Sequence, residues 1–446
     1  MNDKPKKALS PSPAPSPAAG EYGIETLAIH AGASPEPVTG ARNTPIYQTT
    51  SYVFEDVEHA ADLFNLQTFG FIYSRLTNPT VAVLEERMAA LEGGRAAVCA
   101  ASGHAVQFLA FFTLLEPGDE FISSLNLYGG SITQFGHSFK RLGWTCHFVD
   151  PTDPENFQKA LTPKCKAIFI EVLANPGGIV LDVEPIVAIA REAGIPLIVD
   201  NTMATPALCR PFDHGADIVV HSCTKFLNGH GNAVGGLIVD SGKFDWKASD
   251  KFPSLTQPNG SYHGAVLADA LEPIGPIAFI TACRVLGLRD LGPAMAPMNA
   301  FLALTGMETL ALRMERHCSN ALTVAKWLQD HPKVEWVSYA GLEGDKYKSL
   351  ADRYIGGKGG AVFTFGLTGG FAAGKALVSR VALFSHLANI GDTRSLIIHP
   401  ASTTHSQLDE EELVAAGAGP DVVRLSIGIE HVDDIIADLE QALAAI

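Results

Sequence analysis

The sequence predicts an α/β fold: a mostly parallel central sheet followed by a smaller C-terminal α/β domain. Three observations predict it. Between about residues 70 and 240, short apolar runs alternate with amphipathic stretches. That is the signature of strands joined by crossover helices and covered on both faces. The chain has 446 residues, of which 47% are hydrophobic and 18% charged, enough for two or more domains and a large core. Beyond residue 275 the rhythm changes to long helical patterns and then to a second set of strands.

Taken in order, residues 1–20 are rich in Pro, Ser, Ala and Lys and lack the apolar core of a signal peptide. They read as a disordered tail. Asn78-Pro79 starts a helix, with Asn as cap and Pro at the first helical position. Val83, Leu84, Met88 and Leu91 recur at helical spacing, and Gly93-Gly94 ends the element. Strands are expected at Ala96–Ala101, Glu120–Ser124, Thr145–Val149, Ala167–Val172, Pro196–Val199, Ile218–His221 and Val234–Val239, with helices between most of them, such as Val183–Ala193. Residues 241–275 hold Trp246, Phe252, Pro253, Pro258 and Tyr262-His263-Gly264, and read as a long ordered insertion near the site. Helical patterns dominate 276–330, and later strands are expected near Glu335–Ser338, Ala361–Gly366, Leu396–His399 and Val422–Ser426. A last helix, Val432–Ala445, carries Ile435, Ile436, Leu439, Leu443 and Ile446 on one face.

Composition excludes several classes of function. The formal net charge is −16, with no basic stripe to neutralise nucleic-acid phosphates. The seven cysteines (Cys99, Cys146, Cys165, Cys209, Cys223, Cys283 and Cys318) form no CxxC pair, and several lie in apolar runs. Buried thiols in a reducing compartment, the cytoplasm, fit this usage. The segment Ala96–Leu115 has no charged residue, but Ser102, Gly103, His104 and Gln107 interrupt it. A buried strand, a tight turn and a buried helix explain it better than a membrane span. His399 and His405 stand six apart with no supporting Cys/Asp cluster, so no metal site is expected.

Four features gather at strand ends, where open α/β sheets bind ligands. The first is Ala216-Asp217-Ile218-Val219-Val220-His221-Ser222-Cys223-Thr224-Lys225. Here an apolar strand leads to two hydroxyls that can hold a phosphate and to a lysine, Lys225, that can form a Schiff base with a carbonyl. The second is Leu197-Ile198-Val199-Asp200-Asn201-Thr202, whose Asp200 can keep a pyridinium nitrogen protonated. The third is Ala100-Ala101-Ser102-Gly103-His104, small residues entering a helix whose N-terminal N–H groups suit an anion. The fourth is Asn126-Leu127-Tyr128-Gly129-Gly130, with an aromatic placed to stack on a planar ring. Together they form a set of groups for pyridoxal 5'-phosphate (PLP). A dinucleotide-binding oxidoreductase is the rival on such a sheet, but no G-x-G-x-x-G follows the first strand. A non-catalytic oligomer is disfavoured by intact Lys225 and Asp200.

Further motifs stand in a telling order: Thr44-Pro45-Ile46-Tyr47-Gln48-Thr49, Tyr73-Ser74-Arg75-Leu76-Thr77-Asn78-Pro79-Thr80, Ser222-Cys223-Thr224-Lys225-Phe226-Leu227-Asn228-Gly229-His230-Gly231, His399-Pro400-Ala401-Ser402-Thr403-Thr404-His405 and Arg424-Leu425-Ser426-Ile427-Gly428. With them the chain resembles the Cys/Met-metabolism family of PLP-dependent enzymes from about Thr26 to its C-terminus. The resemblance implies PLP-dependent fold type I, the aspartate-aminotransferase-like architecture. It implies that Lys225 carries PLP and moves protons between substrate carbons, that Asp200 faces the ring nitrogen, and that Tyr128 stacks on the ring and assists departure of the leaving group, these three being the catalytic residues. Ser102, Gly103, His104, Ser222 and Thr224 would lie at the phosphate, and Asn175 near the phenolic oxygen. Arg424 and Asn389 would bind the substrate carboxylate. Tyr73 and Arg75 would reach from an N-terminal arm, 21–70 and just beyond, to the neighbouring subunit's phosphate, with Tyr73 also near substrate. Those roles imply an arm-exchanging dimer; the resemblance adds the expectation of a homotetramer built from two such dimers. The domains expected are 71–296, holding PLP and the 241–275 insertion, and 297–446.

Departures narrow the activity. Gly130 stands where some γ-lyases of the family have cysteine, His104 where many relatives carry Met or Gln, and Asn389 where several carry serine. The insertion and Gly391-Asp392-Thr393-Arg394-Ser395-Leu396 look like the family's sulfhydrylase branch. The expected reaction is γ-replacement on O-acetyl-L-homoserine, or another O-acyl-homoserine, by sulfide or methanethiol. It would give homocysteine or methionine plus acetate. The insertion is expected to help close the site against water. Cystathionine γ-synthesis and γ-elimination are the alternatives within the family.

Overall fold

In the computed structural model, which describes residues 22–446 apart from 176, 405, 407–412 and 414–416, seven strands form the larger sheet. They are β1 (Ala96–Ala100), β2 (Glu120–Ser124), β3 (Thr145–Val149), β4 (Cys165–Glu171), β7 (Leu197–Asp200), β8 (Ile218–Ser222) and β9 (Gly236–Asp240). A two-stranded hairpin, β5 (Leu173–Ala174) with β6 (Ile179–Val180), follows β4. The order across the larger sheet is β1-β9-β8-β7-β4-β2-β3. Its pairs are parallel except at β9, which is antiparallel to both neighbours. Ala100 and Ser222 both pair with Gly236, so β1 and β8 point the same way. The C-terminal ends of six strands therefore line one edge.

Strand alternation divides the core into two layers. Leu197, Val199 and Val219 face one apolar cluster together with Leu84 and Met88 from helix Pro79–Glu92. Ile198, Val220 and Phe169 face the other, with Phe111 and Val106 from helix Gly103–Leu114. Local chemistry sets these helices. Asn78 caps the first, accepting from Thr80 N–H at 3.0 Å, and Gly93 closes it with φ +74°. The uncharged run from Ala96 to Leu115 divides into β1, a turn and the buried helix Gly103–Leu114. Among the described residues, no single helix is long and apolar enough to cross a membrane.

A second sheet, β10 (Val334–Ser338), β11 (Val362–Leu367), β12 (Ser385–His386), β13 (Leu396–Ile398) and β14 (Val422–Ser426), has the order β10-β11-β14-β13-β12. It packs with helices Leu310–Gln329 and Val432–Ala444 around Phe363, Phe365, Leu425 and the buried face Ile435, Leu439, Leu443.

The 241–275 insertion is ordered, and its anchors divide between the two edges of the sheet. Trp246 stacks on Phe279 with centroids 5.2 Å apart, and Phe252 meets Trp246 edge-on at 5.1 Å. Lys251 Nζ donates to Ala193 O at 2.6 Å, just ahead of β7, and Ser254 donates to Thr113 O at the far end of helix Gly103–Leu114. These anchors sit at the N-terminal edge of the strands, where aromatic burial draws Trp246 and Phe252 into an apolar layer. Tyr262 lies toward the other edge: its hydroxyl accepts from Arg289 at 2.6 Å, in the helix end just ahead of Pro293, whose carbonyl takes the Ala101 N–H after β1. The residue 1–20 tail and His405 lie outside the described residues. His399 is fully buried, its ring nitrogens bonded to Ser402 Oγ (2.9 Å) and Pro420 O (2.8 Å), a structural role.

Candidate active site

The strand-end edge brings together most of the residues singled out from sequence. Lys225 follows β8 in a short turn, and its Nζ donates to Asn389 Oδ1. Burial, with Arg424 nearby, lowers its pKa from 10.5 to about 8. A lysine tuned this way holds a substantial neutral, nucleophilic fraction near physiological pH. The turn is fixed from behind by Arg313 of helix Leu310–Gln329. This buried guanidinium donates to Phe226 O at 2.7 Å and Leu227 O at 3.1 Å, and burial lowers its pKa to about 10. No sequence signal marked Arg313, because its partners lie some 87 residues away in the chain.

Asp200 ends β7 with one carboxylate oxygen accepting from Thr202 N–H (2.9 Å) and the other from Gln107 Nε2 (3.3 Å). Burial raises its pKa above the ordinary carboxylate value. Thr202 also accepts from Ser222 N–H at 2.8 Å, locking the ends of β7 and β8 together. Behind them, His221 Nε2 lies 2.5 Å from Glu92 Oε1, and Asn201 Nδ2 donates to the same oxygen at 2.9 Å, all three side chains buried. Gln107 figured in the sequence only as a break in an apolar run, and Glu92 and His221 carried no signal there.

The third feature forms a narrow cup. Ser102 caps helix Gly103–Leu114 by accepting from Ala105 N–H at 3.1 Å, which leaves the N–H groups of Gly103 and His104 at the open end. A Cβ at Gly103 would lie 2.9 Å from Ser222 Cβ, and one at Gly236 would lie 2.3 Å from Ser102 O. Only glycines allow the helix N-terminus to approach the β8 strand end so closely. Thr224 exchanges hydrogen bonds with the Gly235 backbone, at 3.2 and 3.3 Å, which fixes its hydroxyl in the turn beside Lys225.

Tyr128 stands half-exposed at the entrance to helix Gly129–Thr133, its ring 5.7 Å from that of His104. A Cβ at Gly130 would lie 2.4 Å from Tyr128 Cε1 and 2.7 Å from His104 Cε1. Glycine at 130 thus lets the two rings converge. From the second sheet, Arg424 of β14 reaches across to donate to Asn175 Oδ1 at 3.2 Å and to Asn389 O at 3.3 Å. Burial lowers its pKa to about 10. Lys225, Asn389, Arg424 and Asn175 are thereby one connected chain of hydrogen bonds between the sheets.

Two expected residues stand apart. Tyr73 and Arg75 lie exposed on the N-terminal arm, with the Arg75 guanidinium 5.5 Å over the Tyr73 ring and Tyr73 bridged to Ser51. One further residue was missed: Glu171, at the end of β4, is buried and accepts from Tyr128 N–H at 2.7 Å and Asn175 N–H at 3.1 Å.

These groups fit pyridoxal phosphate. They supply a lysine of lowered pKa, a carboxylate on the next strand, and a glycine-walled helix N-terminus beside a serine for the phosphate. A family model described as Cys/Met metabolism PLP-dependent enzyme matches residues 25–444. The O-acetyl-L-homoserine sulfhydrylase of Leptospira meyeri is 52% identical over 425 residues, 94% of this chain and 96% of that protein. A Thermus thermophilus protein named O-acetyl-L-homoserine sulfhydrylase 1 is 52% identical over 423 residues, 94% of this chain and all of its own. The homocysteine synthase of Schizosaccharomyces pombe is 49% identical over 422 residues, 94% of this chain and 98% of that protein. A crystal structure from Campylobacter jejuni, described as an O-acetylhomoserine (thiol)-lyase with a pyridoxyl-lysine phosphate in its chain, superposes with a TM-score of 0.91 at 41% identity, covering 95% of this chain and 100% of that one.

Proposed function

This chain belongs to the Cys/Met metabolism PLP-dependent enzyme family, and from that premise we propose that it is a γ-replacement transferase. It converts O-acetyl-L-homoserine and sulfide, or methanethiol, to L-homocysteine, or methionine, and acetate. The observation that carries the reading is Lys225: a lysine with its pKa lowered to about 8, beside Arg424 and one strand from Asp200. The names and identities of the relatives from L. meyeri, T. thermophilus and S. pombe support the substrate pair.

Pyridoxal phosphate supplies an electron sink for a carbanion at the substrate α-carbon. Lys225 holds it covalently and, once displaced by the substrate amine, takes the α-proton at Nζ and returns a proton later. Asp200 holds a proton on the ring nitrogen, and Gln107 and Thr202 orient its carboxylate. The N–H groups of Gly103 and His104, with the Ser222 hydroxyl, bind the phosphate. Arg424 clamps the substrate carboxylate, with Asn389 alongside. Tyr128 covers the ring face.

Tyr73 and Arg75 act from a neighbouring subunit in a homotetramer of arm-exchanging dimers. Their exposure supports this, as does the apolar surface of the same arm, where Val53 is 99% and Val57 79% exposed. All seven cysteines are free thiols, which supports a reducing, cytoplasmic setting.

The test is a product assay of purified protein with acetyl-, succinyl- and phosphohomoserine against sulfide and against cysteine, paired with borohydride trapping and peptide mapping. Homocysteine plus acetate, and a pyridoxyl adduct on Lys225, are expected. Cystathionine formed faster than homocysteine, or 2-oxobutyrate released without a thiol, would overturn the sulfhydrylase reading. An adduct elsewhere would overturn the role of Lys225.

A further inference from the structure

We propose that Glu171 is a positioning residue, a second carboxylate behind Asp200 that pins Tyr128 and Asn175 to the walls of the cofactor cleft. The inference rests on the reading that PLP is held at Lys225 and opposite Asp200.

Glu171 ends β4 and pairs in register with Asp200 on the adjacent parallel strand, so both side chains leave the same face of the sheet. It is 3% exposed. Each of its oxygens is bound by a different loop. Oε1 takes the N–H of Tyr128, after β2, and Oε2 takes the N–H of Asn175, after β4. Tyr128 is the ring-facing aromatic, and Asn175 is the residue that receives Arg424. One buried carboxylate thus fixes the aromatic wall and, through Asn175, the carboxylate-binding arginine.

Its protonation is perturbed as well. Burial and the neighbouring Asp200 push the Glu171 carboxyl well above the ordinary range. Two carboxyls side by side in a buried pocket favour a ligand that brings positive charge to Asp200, as a protonated ring nitrogen does.

Glu171→Gln keeps the shape but offers one acceptor oxygen, and it turns an NH2 donor against a backbone N–H. Wild-type protein is first shown to take up PLP and give a borohydride-fixed adduct on Lys225; failure there sinks the underlying reading, not this inference. Against that wild type, Glu171→Gln is expected to raise the PLP dissociation constant about tenfold, the scale of one lost buried hydrogen bond. It should also lose at least half of the circular dichroism that the bound cofactor shows in its visible band, because that signal reports how firmly the ring is oriented. Glu171→Asp keeps the carboxyl group with its two oxygens and shortens the reach, so it should regain part of the affinity but not the dichroism. Glu171→Gln with wild-type affinity and wild-type dichroism would overturn the inference, whatever its melting temperature. If Glu171→Gln yields no folded protein, wild-type dichroism in Glu171→Asp overturns it instead.

Discussion

Replacing Lys225 by Met should stabilise the cofactor-free protein below about pH 8, and the size of the effect follows from the site. The lysine pKa falls from 10.5 in the unfolded chain to about 8 in the folded one. At about 1.4 kcal/mol per unit, full burial would cost about 3 kcal/mol whenever the folded amine is charged. Lys225 is only half-buried, so screening through the cleft reduces this to about 1–2 kcal/mol. The sign is fixed by proton binding. Between about pH 8 and 10.5 the unfolded lysine holds more protons than the folded one, so wild-type stability rises with pH across that window. The penalty is complete below the window and gone above it. Urea unfolding of cofactor-free wild type and Lys225→Met, at one protein concentration and at several pH values, measures the difference while cancelling groups common to both. Lys225→Met should be the more stable by about 1–2 kcal/mol at neutral pH, with the gap closing as pH approaches 10.5. A gap that does not change with pH, or a variant less stable throughout, would refute the claim that the fold holds this amine under strain.

Three other substitutions probe different parts of the molecule. Arg313→Met removes the donors to Phe226, Leu227 and Gly306 carbonyls and should cost about 3–5 kcal/mol in thermal unfolding, with faster loss of bound PLP because the turn after Lys225 loosens. Gly130→Ser forces apart Tyr128 and His104. Since Tyr128 is half-exposed and can swing, the stability loss should stay near about 1 kcal/mol, while kcat falls more than tenfold; wild-type turnover would refute a role for the converged rings. Trp246→Ala opens the aromatic cluster of the insertion and should destabilise by about 3–5 kcal/mol, yet leave kcat per folded site unchanged because the cluster lies behind the sheet. A large fall in kcat would tie that cluster to the cleft.

Strand positions were legible because each buried run has sharp ends. Ile218–His221 was expected and β8 runs Ile218–Ser222; Glu120–Ser124 matches β2 throughout. Capping chemistry was equally local, at Asn78 and Gly93. The convergence of Lys225, Asp200, Gly103 and Tyr128 on one edge was legible because polar residues at a strand end stand out from an apolar background. What escaped the reading is long-range. The antiparallel course of β9 cannot be read from its apolar run, since direction depends on how the preceding loop turns. Glu171 meets Tyr128 and Arg313 meets Phe226 across 43 and 87 residues of chain, and a single charge inside a buried run gives no hint of whom it will meet. The packing of the insertion was illegible for the same reason: its Trp and Phe residues announce burial without saying against which face.

The late return of β9 has a consequence for how the protein is made. Among the described residues β1 has β9 as its sole strand neighbour in the finished sheet, and β9 begins roughly 136 residues after β1 ends. At typical translation speeds that interval lasts on the order of 10 s. Throughout it the nascent chain carries an apolar strand with neither flank hydrogen-bonded in its native place, the kind of exposed edge that chaperones cover. In the finished sheet the seat of β9 between β1 and β8 is also what sets Gly236 against Ser102 and Gly103 against Ser222, so the cup at the helix N-terminus depends on that late strand.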